Sequence, residues 1–410
     1  MSTETVNPDY LATAVNAVYT SLRFKPPIGQ YTILAGFVLA SPERLHVISL
    51  ATGSKCLPAN RLSRCGESVN DSHAEILAKR GALLWFFDEI HRIKTRSSEE
   101  PSHWLEKHPS GRYRLRDVVC MHMYISTVPC GDASMRFLAN SQDPEMARLK
   151  ESTPFEAQPS SMPWRGRNNY HCYGVLRTKP ARADSPTTAS MSCSDKIAAW
   201  NVLGLQGALG SLVFMPLYVH SVVIGEVPLD IRDLVLGDCR RAFWERTQDL
   251  EGLPDGYRMN KPSIYFTSVP FVHARSSLRP KEKASSCNDS LCWIAESPTR
   301  PGYQVLINGL KRGVPQKLRY EPKSRPWLSK LTFFVALRTI DVESLQPGVE
   351  IESYHTTKLS ASEYQATKDR LLAIAPFTAW IRNGEKYQNF DIRGNEVLPS
   401  NGPQRDQLTE

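Results

Sequence analysis

Three short runs carry residue types that together can hold a metal and move protons: His73-Ala74-Glu75, Pro129-Cys130-Gly131-Asp132 and Ser192-Cys193-Ser194-Asp195-Lys196. Zinc is tetrahedral and accepts both nitrogen and sulfur, and a catalytic zinc needs three protein ligands and one exchangeable water. One imidazole, His73, and two thiolates, Cys130 and Cys193, meet that count. Zinc lowers the pKa of its water from about 16 to about 7, so the chemistry on offer is hydrolysis. Hydrolysis also needs a carboxylate that ferries protons, and Glu75, two residues after the imidazole, supplies one. Each run has an ordinary reading when taken alone, since His73 and Glu75 also suit the charged start of a helix. A structural zinc would carry four protein ligands, and no fourth accompanies these three. Cys287 and Cys292 lie close together but lack the second pair that such a site requires.

A His-x-Glu element followed by a Pro-Cys element, with a Glu that is not a ligand, is the pattern of zinc deaminases of nucleobases. The short form of that pattern has its second thiolate three residues after the first, where this chain has Ala133. The run from Met191 through Trp200 to Gly207 resembles the corresponding segment of adenosine deaminases that act on RNA. Asn70-Asp71-Ser72-His73-Ala74-Glu75-Ile76 and the run from Tyr354 to Lys368 resemble that family too, and the likeness extends from about Tyr31 to Phe390. It places the third ligand at Cys193, 193 − 130 = 63 positions after Cys130. Within the family, Arg165-Gly-Arg-Asn-Asn-Tyr and the run beginning at Tyr173-Gly-Val-Leu-Arg-Thr-Lys resemble the branch that deaminates tRNA beside the anticodon, at tRNA position 37.

The resemblance implies an α/β fold, a cytidine-deaminase-like α/β/α sandwich core enlarged by a mixed helical and strand C-terminal half. One deaminase domain would cover 1–394, with a zinc core at roughly 31–225, a half supporting an inositol phosphate at roughly 226–394, and a disordered polar tail at 395–410. It implies conversion of adenosine to inosine in the anticodon stem-loop of a tRNA, with His73, Cys130 and Cys193 on zinc and Glu75 shuttling protons. A buried inositol hexakisphosphate would be held by Asn70, Lys79, Arg80, Lys196, Trp200, Tyr354, Lys358, Tyr364 and Lys368. Asp71, Lys179 and Lys196 would relay hydrogen bonds between a thiolate ligand and that cofactor. Ala199, Ala208 and Arg382-Asn383 depart from the family pattern. RNA contacts would fall to Ser54, Lys55, Arg165, Arg167, Arg177 and Arg182, with Asp184 beside the vacated base. The rival readings are the same chemistry on structured messenger RNA, an idle scaffold that binds RNA or inositol phosphate, and a deaminase of free nucleosides. Separate double-stranded-RNA-binding modules are not expected.

Composition is compatible with this. An excess of 50 Lys and Arg over 42 Asp and Glu gives a formal charge of +8, and basic proteins favour anionic partners such as nucleic acid. Nine cysteines in 410 residues make no dense disulfide framework, and thiols that bind zinc suit a reducing compartment. The apolar run Ile33 to Ala40 is far shorter than the ~20 residues of a bilayer span, and no secretory leader opens the chain. The expectation is an intracellular protein, cytoplasmic or nuclear, with no membrane association and no obligate protein partner.

The elements that must position these residues follow from pattern. Asn7-Pro8 predicts a helix start, with Leu11, Val15, Val18 and Leu22 on its inner face. Thr32 to Leu39 and Leu45 to Thr52 predict a hairpin. Asp71 or Ser72 would cap a helix whose first turn holds His73 and Glu75 and whose inner face carries Ile76, Leu83, Phe87 and Ile90. A strand is predicted over Val118 to Val128, a helix from Ser194 and a strand over Leu217 to Ile224. Asn140 to Pro163 and Ala274 to Gly302 read as loops. Lys358 and Lys368, with Tyr354 and Tyr364, would lie on and before one C-terminal helix.

Overall fold

The computed structural model describes residues 6–95, 101–140, 159, 161–166, 170–179, 186–278, 285–319, 321–340 and 353–397. A mixed sheet of eight strands organises them: Leu34–Ala40 (β1), Leu45–Thr52 (β2), Cys120–Ile125 (β3), Ser221–Ile224 (β4), Ser263–Phe266 (β5), Ser290–Ile294 (β6), Tyr303–Ile307 (β7) and Leu310–Lys311 (β8). Their order is β5-β4-β3-β1-β2-β6-β7-β8. β3, β4 and β5 run parallel, and the remaining neighbours are antiparallel. Helices follow at Pro8–Ser21 (α1), Ala74–Thr95 (α2), Met135–Asn140 (α3), Cys193–Leu203 (α4), Gly207–Gly210 (α5), Arg232–Phe243 (α6), Lys330–Ile340 (α7), Tyr354–Leu359 (α8) and Ser362–Ala373 (α9).

Period-two alternation along β1 divides the core into two layers. Leu34 and Val38 face α1 and pack with Leu11, Ala12, Val15 and Tyr19. Ala35, Phe37 and Leu39 face the other way, toward Leu77, Ala78, Leu84 and Trp85 of α2. Gly36 has to be glycine because a Cβ there would stand 2.9 Å from Val15 Cγ1, so α1 lies directly on the strand. The Asn7 side chain caps α1, accepting from the amides of Asp9 and Tyr10 as its position before Pro8 leads one to expect. The expected α/β/α sandwich is therefore present, helices covering both faces of the sheet.

Four expectations shift. The stretch 274–302 is not all loop: its described residues contain β6, which pairs with both β2 and β7 inside the sheet. Flanking Ser, Lys and Pro residues mask the short apolar run Leu291-Cys292-Trp293-Ile294. α2 begins at Ala74, and His73 ends a three-residue strand, Asp71–His73, so Asp71 does not cap the helix. α2 is buried around most of its circumference, because Phe333 and Leu337 of α7 close the side the sheet leaves open. The C-terminal cations sit on two helices, α8 and α9, the first closed by a Ser353–Thr356 capping box. Residues 395–397 of the expected tail are held: the Asn395 side chain donates to Asp391, and the Val397 amide donates to Asn389 O. Residues 398–410, and most of the 140–163 stretch, lie outside the described residues.

α9 and the turn after it pack Leu371 and Phe377 against Ala198, Ala199 and Val202 of α4, the helix that starts at Cys193. No described helix is long and apolar enough to cross a membrane.

Candidate active site

Three separate pieces of backbone deliver the site. His73 closes the short strand that pairs with Ser54–Cys56, Cys130 follows β3, and Cys193 is the first residue of α4, whose N-cap Ser192 accepts from the Asp195 amide. Their ligand atoms lie within 4.8 Å of one another. His73 Nδ1 is 3.7 Å from Cys130 Sγ and 3.5 Å from Cys193 Sγ. A tetrahedral zinc with ordinary Zn–S and Zn–N bonds spaces sulfur and nitrogen by about 3.6 Å. The donor set fits zinc in both chemistry and spacing. Among the described residues this is the one His/Cys/Asp/Glu group with such convergence.

The two thiolate turns interlock. The Ser194 amide and hydroxyl both donate to Cys130 O, at 2.9 Å each, and the Cys193 amide points at Cys130 Sγ from 3.4 Å. Gly131, at φ 107°, lets the backbones meet: a Cβ there would stand 2.1 Å from Ser192 Oγ. Gly131→Ala is therefore expected to pull the turns apart and to purify with well under the wild-type zinc content, measured by plasma mass spectrometry. Gly237→Ala on α6, where a Cβ meets nothing within 4 Å, should keep its metal.

Glu75, in the first turn of α2, is buried, and its Oε2 has no hydrogen-bond partner among the described residues. Burial pushes its carboxyl above the ordinary glutamate range. A buried acceptor left without a partner is costly, which makes this oxygen the natural seat for a reacting proton.

Behind the thiolates runs a chain of charge-assisted bonds. Lys179 Nζ is 3.3 Å from Cys193 Sγ and 2.7 Å from Asp71 Oδ2. The same carboxylate oxygen accepts from Lys196 Nζ at 2.5 Å and from Ser190 Oγ at 2.8 Å. Burial works against charge at both Asp71 and Lys179, yet their mutual attraction wins: Lys179 and Lys196 hold Asp71 well below its usual range, and Asp71, Cys193 and Cys130 hold Lys179 well above. The expected relay residues are thus brought together, with Ser190 as a member the sequence did not reveal.

Lys196 opens the next space, a cavity of about 200 Å³ whose lining includes Asn70, Asp71, Arg80, Ser190, Lys196 and Lys330. Arg80 and Lys330 line it, Lys79 and Lys358 lie near them, and all four are half-buried with no carboxylate in ion-pair range among the described residues. Burial, together with neighbouring cations, brings Lys79 and Lys330 down to about 7 and Lys358 to about 8. Trp200 lies 5.9 Å under Lys79 Nζ and Tyr354 lies 5.5 Å under Lys358 Nζ. Tyr364 is half-buried near Tyr354 and is pushed up by desolvation, whereas Lys368 is shifted down by partial burial and by Arg382. Uncompensated buried cations are unfavourable, and a polyanion fits this set. Lys330, at the start of α7, belongs to it although nothing in its sequence neighbourhood marks it.

The RNA candidates divide. Ser54 pairs with His73 across the short ladder, and Lys55 beside it donates to Ser286 Oγ at 2.7 Å. Arg165 lies in a two-residue strand, Trp164–Arg165, parallel to Arg177–Thr178. Arg177 departs from its expected role: it is wholly buried, and its guanidinium donates to Gly166 O and Cys172 O, so it braces the segment from within. An arginine in a basic-looking loop run gives no sequence sign of facing inward. Arg167, Arg182 and Asp184 lie outside the described residues.

An α/β sandwich that gathers one imidazole and two thiolates beside a buried glutamate defines a deaminase-type metal site. Residues 49–384 match the sequence model of the adenosine-deaminase (editase) domain, and the chain belongs to that family. It is similar to mouse (Mus musculus) "tRNA-specific adenosine deaminase 1", with 26% identity over 84% of this chain and 88% of the relative. The protein of that name from Schizosaccharomyces pombe is 32% identical over 71% of this chain and 73% of the relative. Mouse "Double-stranded RNA-specific editase B2" is 31% identical over 88% of this chain, which spans 47% of that relative's length.

Proposed function

We propose that this protein is a zinc-dependent hydrolase that converts adenosine to inosine in tRNA, at the base beside the anticodon. The observation that carries the reading is the convergence of His73 Nδ1, Cys130 Sγ and Cys193 Sγ on one point beside the orphaned Glu75 carboxylate. When bound, zinc supplies the Lewis acid that acidifies the attacking water. Glu75 accepts the first proton of the attacking water and delivers it to N1 of adenine as the oxygen bonds to C6, then takes the second proton from the new C6 hydroxyl and passes it to N6, so that the C6–N6 bond breaks, ammonia leaves and the C6 carbonyl of inosine forms. Lys179, within reach of Cys193 Sγ, balances charge on that thiolate, and Asp71 keeps the lysine charged and in place.

The basic cavity supports a second proposal, that inositol hexakisphosphate is built into the fold between α2, α4, α7, α8 and α9. Lys79, Arg80, Lys196, Lys330 and Lys358 would hold its phosphates, with Asn70, Trp200, Tyr354, Tyr364 and Lys368 around them. The group supplies negative charge and no chemistry of the reaction.

The substrate choice rests on likeness to the tRNA-specific relatives. A panel of transcribed tRNAs and a long RNA duplex, sequenced for inosine after incubation, decides it. Inosine at a single anticodon-loop adenosine supports the reading, and inosine confined to duplex RNA overturns it in favour of editing messenger RNA. For the RNA surface, Arg165→Ala with Arg167→Ala is expected to weaken tRNA binding and to reduce the slope of log affinity against log salt by about one to two. Unchanged affinity and slope would remove both from the interface.

A further inference from the structure

Each thiolate is followed two residues later by an aspartate that is completely buried: Cys130-Gly131-Asp132 and Cys193-Ser194-Asp195. The two carboxylates are used in the same way. Each accepts one backbone amide from a single segment, Gly174 N to Asp132 Oδ1 at 2.8 Å and Arg177 N to Asp195 Oδ2 at 2.9 Å. Each also accepts one arginine from α6 or the turn that follows it, Arg241 Nε to Asp132 Oδ2 at 3.0 Å and Arg246 Nη1 to Asp195 Oδ1 at 2.8 Å. The arginines reach further. Arg246 donates to Val175 O and Ala242 O, and Arg241 donates to Asp132 O and to Asp238, which also binds Arg136. The stitched segment runs straight into Lys179, whose ammonium faces Cys193 Sγ.

Rigid placement is the property such an arrangement provides. Each of three arginines, Arg136, Arg241 and Arg246, is bound to a carboxylate of Asp132, Asp195 or Asp238, so none of the three is left for an external anion. Stability alone does not account for it, since a buried ion pair is often no better than apolar side chains of the same size. Outer partners that orient metal ligands, in contrast, typically change metal affinity by 10–100-fold.

We infer that Arg246, acting through Asp195, and Arg241, acting through Asp132, are positioning residues that set the spacing of the two thiolates and hold the Lys179 segment against them. The inference rests on the zinc reading given above. Neither arginine touches a ligand atom or the buried glutamate, so both are distinct from the proposed catalytic and metal-binding set.

The test compares zinc-loaded wild type, Arg246→Leu, Arg246→Lys, Asp195→Asn and Arg300→Leu. The last breaks the Arg300–Asp88 pair, which is half-buried and lies at the far end of α2 from the thiolates. Zinc release into a chromogenic chelator is followed at a temperature where near-ultraviolet circular dichroism shows each protein folded, alongside kcat and KM on tRNA. Arg246→Leu is expected to release zinc at least 10-fold faster and to lose kcat with KM nearly unchanged. Arg246→Lys, with one donor restored, should fall between it and wild type, and Arg300→Leu should change only the melting temperature. If Arg246→Leu does not fold, Asp195→Asn, which keeps the shape and removes the charge, carries the same expectation. Wild-type release rates in both variants overturn the inference. A wild type that holds no zinc would instead overturn the reading beneath it, and the two failures are told apart by the metal content of wild type alone.

Discussion

Glu75→Gln is expected to lower the rate of inosine formation by about 10²–10⁴-fold while the protein keeps its zinc and its melting temperature. The substitution preserves size and can still accept through its carbonyl oxygen, but it cannot exchange a proton. The carboxyl is buried at the start of α2, with no hydrogen-bond partner for Oε2 among the described residues, and burial outweighs the favourable fields of His73 and Lys179. Removing that charge should cost the fold little, because what is lost is a poorly solvated anion. Proton acceptance needs the charged carboxylate, so wild type should lose activity as pH falls through its titration, and a zinc dication beside it would favour that charged form against the upward push of burial. The measurement is single-turnover inosine formation across pH on one tRNA, with zinc determined on both proteins. Retained activity in Glu75→Gln at full zinc occupancy would remove Glu75 from proton transfer.

The parts of this site that could be read from the sequence are those set by local chemistry. A metal imposes residue types, so His73, Cys130 and Cys193 stand out although they come from three elements far apart in the chain. Capping imposes types as well, and Asn7 marks its helix for that reason. What stayed hidden depends on tertiary partners. Arg177 carries the same letters as a surface arginine, and only the carbonyls of Gly166 and Cys172 make it a brace. Lys330 and Ser190 join their clusters through packing between distant helices and loops. β6 was lost because a five-residue strand buried on both sides carries no alternation to set it apart from its polar surroundings. Asp132 and Asp195 were visible as letters in the ligand motifs, but nothing in either motif announces the arginine that each one finds on or just after α6.

Removing the proposed polyanion should be the most damaging change the protein can suffer, larger than any single substitution around it. Lys79, Arg80, Lys330 and Lys358 would then lie close together with Asp71, already paired to Lys179 and Lys196, as the one carboxylate among the described residues lining the cavity, and breaking even one buried charge pair typically costs about 3–5 kcal/mol. The sign with pH follows from the lysines. In the stripped fold Lys79 and Lys330 titrate at about 7 and Lys358 at about 8, against about 10.4 in the unfolded chain. Between those limits the unfolded chain holds more protons than the fold, so stripped protein gains stability as pH rises, and that stability is lost again as pH falls through the folded values. Bound phosphate groups keep the same ammoniums charged, so the loaded protein takes up protons on binding and gains most from its ligand near or below pH 7. Protein refolded with and without inositol hexakisphosphate should therefore show its widest gap in melting temperature at about pH 6.5, narrowing steadily toward pH 9.5. Mass spectrometry of the denatured native protein should also find the inositol polyphosphate. A gap that stays constant or widens with pH would mean that these lysines do not face the anion, and absence of the released compound would mean that the cavity is filled by something else.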